Sequence, residues 1–175
     1  MTDNNCGTCT QCCKSMGINR DDGSLLSIAN EWCPLTEIGV GCRDYENRPS
    51  QCRGFKCMWL LTQSSEDPKG KFPAEARPDK SHIVLVPKHD GNTILAIVDP
   101  HRWDSYESGK MGGYLHWVGE KYPVVVVIGQ IMRPLGSIAS NLVHSECKRL
   151  GRDLSESELL NILGKFKEGL ESPVP

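Results

Sequence analysis

The sequence predicts an α+β protein: an irregular, cysteine-rich metal-binding module joined to a small mixed β-sheet of about three strands with flanking helices. Three observations predict it. Eight of the nine cysteines fall within the first 57 residues, a cluster where a small buried hydrophobe would be scattered. Two β-branched runs, Ile83-Val84-Leu85-Val86 and Ile94-Leu95-Ala96-Ile97-Val98, bracket an Asp90-Gly91 turn signal and read as a hairpin. A third run, Val124 to Ile131, reads as a continuous apolar strand, which suits a position with both faces covered.

These runs divide the chain into residues 1–62 as the cysteine-cluster module and 63–80 as a connector. Residues 81–135 form the sheet unit, and 136–175 are helices packed on it, with 81–175 forming one unit with the module. A length of 175 residues suits this arrangement. A module of about 60 residues is near the lower limit for a self-supporting core, where metals or disulfides usually contribute.

In chain order, Met1 to Asn5 is polar and expected to fray. Cys6-Gly7-Thr8-Cys9-Thr10-Gln11-Cys12-Cys13 is C-x2-C-x2-C-C, with Gly7 allowing a tight turn between the first two thiols. Asp21-Asp22-Gly23-Ser24 is a turn, followed by Leu25, Leu26 and Ile28 and then Trp32-Cys33-Pro34. Gly39-Val40-Gly41 leads into Cys42, and Asn47 with Pro49 is placed to start a helical turn before Cys52 and Cys57. Residues 62–80 carry three prolines among polar residues and read as an extended arm.

Past the hairpin, Asp99-Pro100 breaks the strand, and a glycine-weakened helix runs from Asp104 or Ser105 towards Tyr122, stopped by Pro123. A strand–helix–strand unit makes the third strand parallel to the second by a right-handed crossover. Arg133-Pro134-Leu135-Gly136 is expected to turn. Ala139, Val143, Cys147 and Leu150 then share a helical face closed by Gly151. Ser155-x-x-Glu158 is a capping box for a last helix with Leu159, Leu163, Phe166 and Leu170 as its stripe.

Composition narrows the function. The formal charge is −2, and residues 1–62 hold six Lys/Arg against seven Asp/Glu, so no basic stripe marks a nucleic-acid partner. The longest apolar run, Val124 to Ile128, is too short to span a bilayer. The amino-terminal MTDNNCGTC lacks the charged-then-apolar pattern of a leader, so the expected location is cytoplasmic. There clustered cysteines bind metal more often than they pair; a disulfide-stapled secreted module is the bland alternative. No phosphate loop, dinucleotide fingerprint or hydrolase elbow occurs, and Gly109 to Gly113 lacks the spacing of a phosphate loop. The histidines are dispersed: His144-x2-Cys147 is a weak half-site, and His101 reads as surface or capping.

Thiolates at two-residue spacing can converge on one metal. Adjacent Cys12 and Cys13 should diverge, so the pair implies two sites or a shared multinuclear centre, unless one of them is only packed in the core. Arg43, Arg48, Arg53 and Lys56 lie among the thiols, where cations would offset thiolate charge. The pattern C-x2-C-x2-C-C … W-C-P … G-C-x2-Y-E-x-R-P-x2-C-R-x-F-x-C-x-W-L, over Cys6 to about Leu61, resembles the CxxCxxCC zinc- or iron-chelating family of YkgJ-like cysteine-cluster proteins. The resemblance implies metal binding by Cys6, Cys9, Cys12, Cys13, Cys33, Cys42, Cys52 and Cys57, with zinc or iron, including an iron–sulfur cluster, as cofactor. It supplies no reaction. A metal-binding protein, an enzyme or redox protein using the centre with Cys13 as free thiol, and a structural zinc module for contacts with a protein partner all remain open.

Overall fold

The computed structural model describes residues 6–87, 93–107 and 109–165. The expectations for Met1 to Asn5, the Asp90-Gly91 turn, Phe166 and Leu170 lie outside them. The chain is mixed α and β, with small sheets and several helices.

Helix α1 (Cys12–Ser15) is a single turn leading into β1 (Ile18–Asn19), which pairs antiparallel with β2 (Leu25–Ser27). The turn between these strands is the expected one: the Gly23 N–H donates to the Arg20 carbonyl at 2.9 Å, and the Asp22 carboxylate accepts from the Ser24 N–H at 2.9 Å. A second two-residue hairpin joins β3 (Thr36–Glu37) to β4 (Gly41–Cys42). Helices α2 (Ser50–Gly54) and α3 (Met58–Gln63) follow. Asn47 does not cap α2. Its amide is taken up by Asp44 at 2.8 Å, and the Ser50 N–H is satisfied by the distant Asp21 carboxylate at 2.7 Å. Residues 62–80, expected as a polar arm, hold short 3-10 turns at Pro68–Gly70 and Ala74–Ala76 and lead into α4 (Pro78–Ser81).

The main sheet has four strands where about three were expected. Strands β5 (Ile83–Pro87) and β6 (Ile94–Val98) are antiparallel. A 3-10 segment, Pro100–Tyr106, and α5 (Gly109–Gly119) then cross to β7 (Val124–Ile128), which runs parallel to β6 with Ile94 opposite Val124. The predicted single helix over this crossing is therefore two pieces. The apolar run also ends sooner than expected. It turns at Gly129-Gln130, and β8 (Ile131–Leu135) returns antiparallel, placing Arg133 and Pro134 inside a strand. The sheet order is β5-β6-β7-β8, so β8 is an edge, where a proline costs no essential ladder bond.

Helix α6 (Gly136–Leu150) starts directly after β8, and Gly151 closes it with its N–H on the Cys147 carbonyl at 2.8 Å. The start needs glycine. Gly136 has φ +81°, and a Cβ there would lie 2.5 Å from the Gly119 carbonyl oxygen. In α7 (Glu156–Lys165) the capping box forms as read: Ser155 N–H donates to Glu158 at 2.9 Å, and the Glu158 N–H reaches the Ser155 hydroxyl at 3.4 Å.

Alternation along the strands separates two buried faces. Ile83, Leu85, Ala96, Val98, Val124 and Val126 face α5 and the 3-10 segment, meeting Tyr106, Met111, Leu115 and Val118. On the opposite face, Val125 and Leu95 meet Ala139 and Leu159 of the two last helices. Beside them Val84, Val86 and Ile97 meet Cys57, Leu60, Cys6 and Cys12. Each aliphatic buried in this way contributes roughly 1.5–3 kcal/mol relative to an exposed one. The amino-terminal region thus covers the half of that face which α6 and α7 leave open.

Candidate metal centre

The cysteines are brought together by turns and by a few long-range bonds. Gly7, at φ +53°, reverses the chain so that the Cys9 N–H reaches the Cys6 carbonyl at 3.0 Å. One turn later the Cys13 N–H donates to the Thr10 carbonyl at 2.9 Å, opening α1. The Cys33 N–H donates to the Cys13 carbonyl at 2.9 Å, which carries the Trp32-Cys33-Pro34 segment against α1. The Thr36 N–H turns back to the Cys33 carbonyl at 2.9 Å, and the β3–β4 register sets Thr36 opposite Cys42. Cys52 rides on α2, which Gln51 ties to β1 through the Gly17 carbonyl at 2.8 Å and the Asn19 N–H at 3.1 Å. Cys57 stands at the start of α3, buried beside Cys6 and Cys12 against the sheet.

All eight thiols, and Cys147, are free. Seven of the eight, all but Cys57, line one cavity of about 320 Å³. Cys147 lies outside it on α6, half-buried, beside an exposed His144.

Burial pushes the Cys6 thiol up to about 11, and Cys57, Cys9 and Cys13 oppose its ionisation further, while Arg48 favours it. Burial also raises Cys9, Cys52 and Cys57. Cys52 is raised next by Cys13, Cys33 and Cys42, and Arg48 again acts the other way. Cys12 packs in the apolar cluster under the sheet, and Cys13 does not. On the single turn of α1 the two adjacent thiols act on each other, and their interaction raises Cys12 and lowers Cys13. Crowded thiols of this kind cannot all ionise on their own; a cation among them reverses the balance.

Of the basic residues expected near the thiols, Arg48, Arg53 and Lys56 line the cavity, whereas Arg43 faces Glu37 at 3.8 Å. Arg48 stacks 3.5 Å from the Tyr45 ring centroid, donates to the Tyr45 carbonyl at 2.8 Å and accepts from Arg53 on its own carbonyl at 2.6 Å. Its charge is held in place beside the sulfurs.

Two features had no local signal in the sequence. Arg77, in the expected connector, donates to the Thr8 hydroxyl at 2.9 Å and the Cys6 carbonyl at 3.4 Å, and pairs with Asp79 at 3.1 Å. It clamps the first cysteine loop. Second, Lys14 reaches Asp99 at 2.6 Å, with Gln11 on the same carboxylate oxygen at 3.3 Å and the His101 N–H on the other at 3.0 Å. Asp99 is thus the cap of the 3-10 segment, and His101, whose side chain is exposed, is a surface residue at the seam between the cysteine region and β6.

The donor set, the shared cavity and the fixed guanidinium fit a thiolate-bound metal. Among the described residues no three Cys, His, Asp or Glu side chains form a group able to hold an ion as they stand. The sulfurs are gathered around a space rather than closed on a point. The chain matches no family model, no curated protein and no solved structure, so the likeness to the cysteine-cluster family rests on the motif over residues 6–61.

Proposed function

We propose that this chain is a metal-binding protein that holds zinc or iron through the thiolates of Cys6, Cys9, Cys12, Cys13, Cys33, Cys42, Cys52 and Cys57. The observation that carries the reading is the convergence of seven of these thiols, from segments 46 residues apart at the extremes, on one cavity whose wall also presents Arg48. Bound zinc would supply folding energy to a region poor in apolar side chains, and a bound iron–sulfur cluster would supply electron transfer. The chain's own residues do the rest. Thr8, Arg77 and Asp99 fix the loop and helix that present the first thiols, and Arg48 offsets thiolate charge.

Free thiols in this number call for a reducing compartment, which makes the cytoplasm the proposed location. No described helix is long and apolar enough to cross a membrane. Elemental analysis and visible absorption of protein purified without oxygen test the reading. Bound zinc gives a colourless protein and an iron–sulfur cluster a coloured one; absence of both metals refutes it.

A further inference from the structure

Resting on the metal-binding reading, we infer that the eight thiols form two abutting sets of four, Cys6, Cys9, Cys12 and Cys57 against the sheet and Cys13, Cys33, Cys42 and Cys52 towards the β3–β4 hairpin, each holding its own metal centre. Backbone geometry makes the division. Cys6 and Cys9 share one turn, closed at 3.0 Å, and Cys6 and Cys12 pack with buried Cys57 beneath Val84 of β5. Cys33 is joined to Cys13 through the backbone at 2.9 Å and turns at once into β3, where Thr36 stands opposite Cys42. Cys52, on α2, lines the cavity with Cys13, Cys33 and Cys42 and does not join Cys6, Cys12 and Cys57 in the apolar cluster under the sheet.

The sets meet at α1. Cys12 belongs to the apolar cluster under the sheet, and Cys13, beside it on the same turn, is joined through its carbonyl to Cys33 on the hairpin side. Arg48 lines the cavity to which both sets contribute thiols, so one guanidinium stands beside both. Four thiolates fill the coordination of one tetrahedral ion, and eight in two groups fill two. The C-C pair is then the means by which a short chain feeds neighbouring centres from consecutive residues.

The test uses the whole protein, produced with Zn²⁺ as the only added metal. Native mass spectrometry of the wild type should show two zinc ions. Stepwise chelation should pass through a one-zinc species whose newly alkylated cysteines come from one set as a block. Cys57 reports the first set, and Cys33, Cys42 and Cys52 report the second. Cys57→Ser and Cys42→Ser should each keep one zinc. Alkylation of Cys57 together with Cys42 in the one-zinc species overturns the division, as does loss of both ions in a single step. That measurement needs no variant to fold. A wild type that takes up no zinc and holds no iron overturns the metal-binding reading itself, a different result from mixed labelling.

Discussion

Between residues 6 and 57 the buried side chains are Ile18, Pro49, the thiols of Cys33 and Cys57, and the small polar groups of Thr10, Gln11, Ser15 and Ser27. Strand β5 alone buries Ile83, Val84 and Leu85, and β7 buries Val124, Val125 and Val126. The sheet therefore draws on apolar burial from both faces. The amino-terminal region, with one buried aliphatic residue, has strands of two or three residues and helices of a single turn or little more. Elements that short do not persist by backbone propensity. Its cohesion has to come from the cavity that its cysteines surround and from the sheet beneath it.

The strongest way to break this contrast is to remove the metal. Chelation of the loaded protein should strip amide protection from residues 6–57 while β5, β6 and β7 stay protected. A structural zinc site is worth on the order of 10 kcal/mol in small folds. Hydrogen exchange read by mass spectrometry checks this directly. Unchanged protection in both regions would remove the basis of the contrast.

The converse experiment weakens the sheet. Leu115→Ala, at a fully buried position among Met111, Val118 and Val126, should cost about 2–5 kcal/mol of global stability in denaturant titration. Metal content per folded molecule should not change. Loss of metal in parallel would mean the two regions are one cooperative unit.

The smallest expected effect lies at the seam. Burial pushes the Asp99 carboxyl up, but the Lys14 ammonium, the His101 N–H and the Gln11 amide outweigh it and hold it down at about 2. A carboxyl lowered on folding stabilises the native state above its unfolded value, and that contribution is lost as the pH falls through the folded one. Between roughly pH 4 and pH 2 the wild type should therefore lose stability that Asp99→Asn never had. At neutral pH the variant should be weaker by about 1–3 kcal/mol, because it leaves the Lys14 ammonium, at 13% exposure, with only a neutral partner. Chemical denaturation at pH 7 and pH 3 measures both arms, and equal losses at the two pH values would refute the assignment.

Local patterns made much of this legible. The β-branched runs marked β5, β6 and β7, and their spacing carried the parallel β6–β7 pairing. Gly151 marked the end of α6, and Ser155 with Glu158 the start of α7. Where sequence reading failed, the reason was tertiary. Strand β8 contains Arg133 and Pro134, which read as a turn; its edge position tolerates both. Asp21 caps α2 from 29 residues away, and Lys14 meets Asp99 across 85. No short-range pattern encodes either.

The cysteines themselves were plain in the sequence, and so was the puzzle of Cys12 beside Cys13. Their separate surroundings, with Cys12 alone of the two in the cluster under the sheet, and the service of Arg77 to the first loop needed the folded chain.

The account turns on whether metal holds the amino-terminal region together, and metal content measured together with hydrogen exchange on protein purified without oxygen decides it. The account predicts bound zinc or iron and protected amides across residues 6–57. Protein that carries neither metal, yet keeps those amides protected with all its thiols open to alkylation, would contradict it.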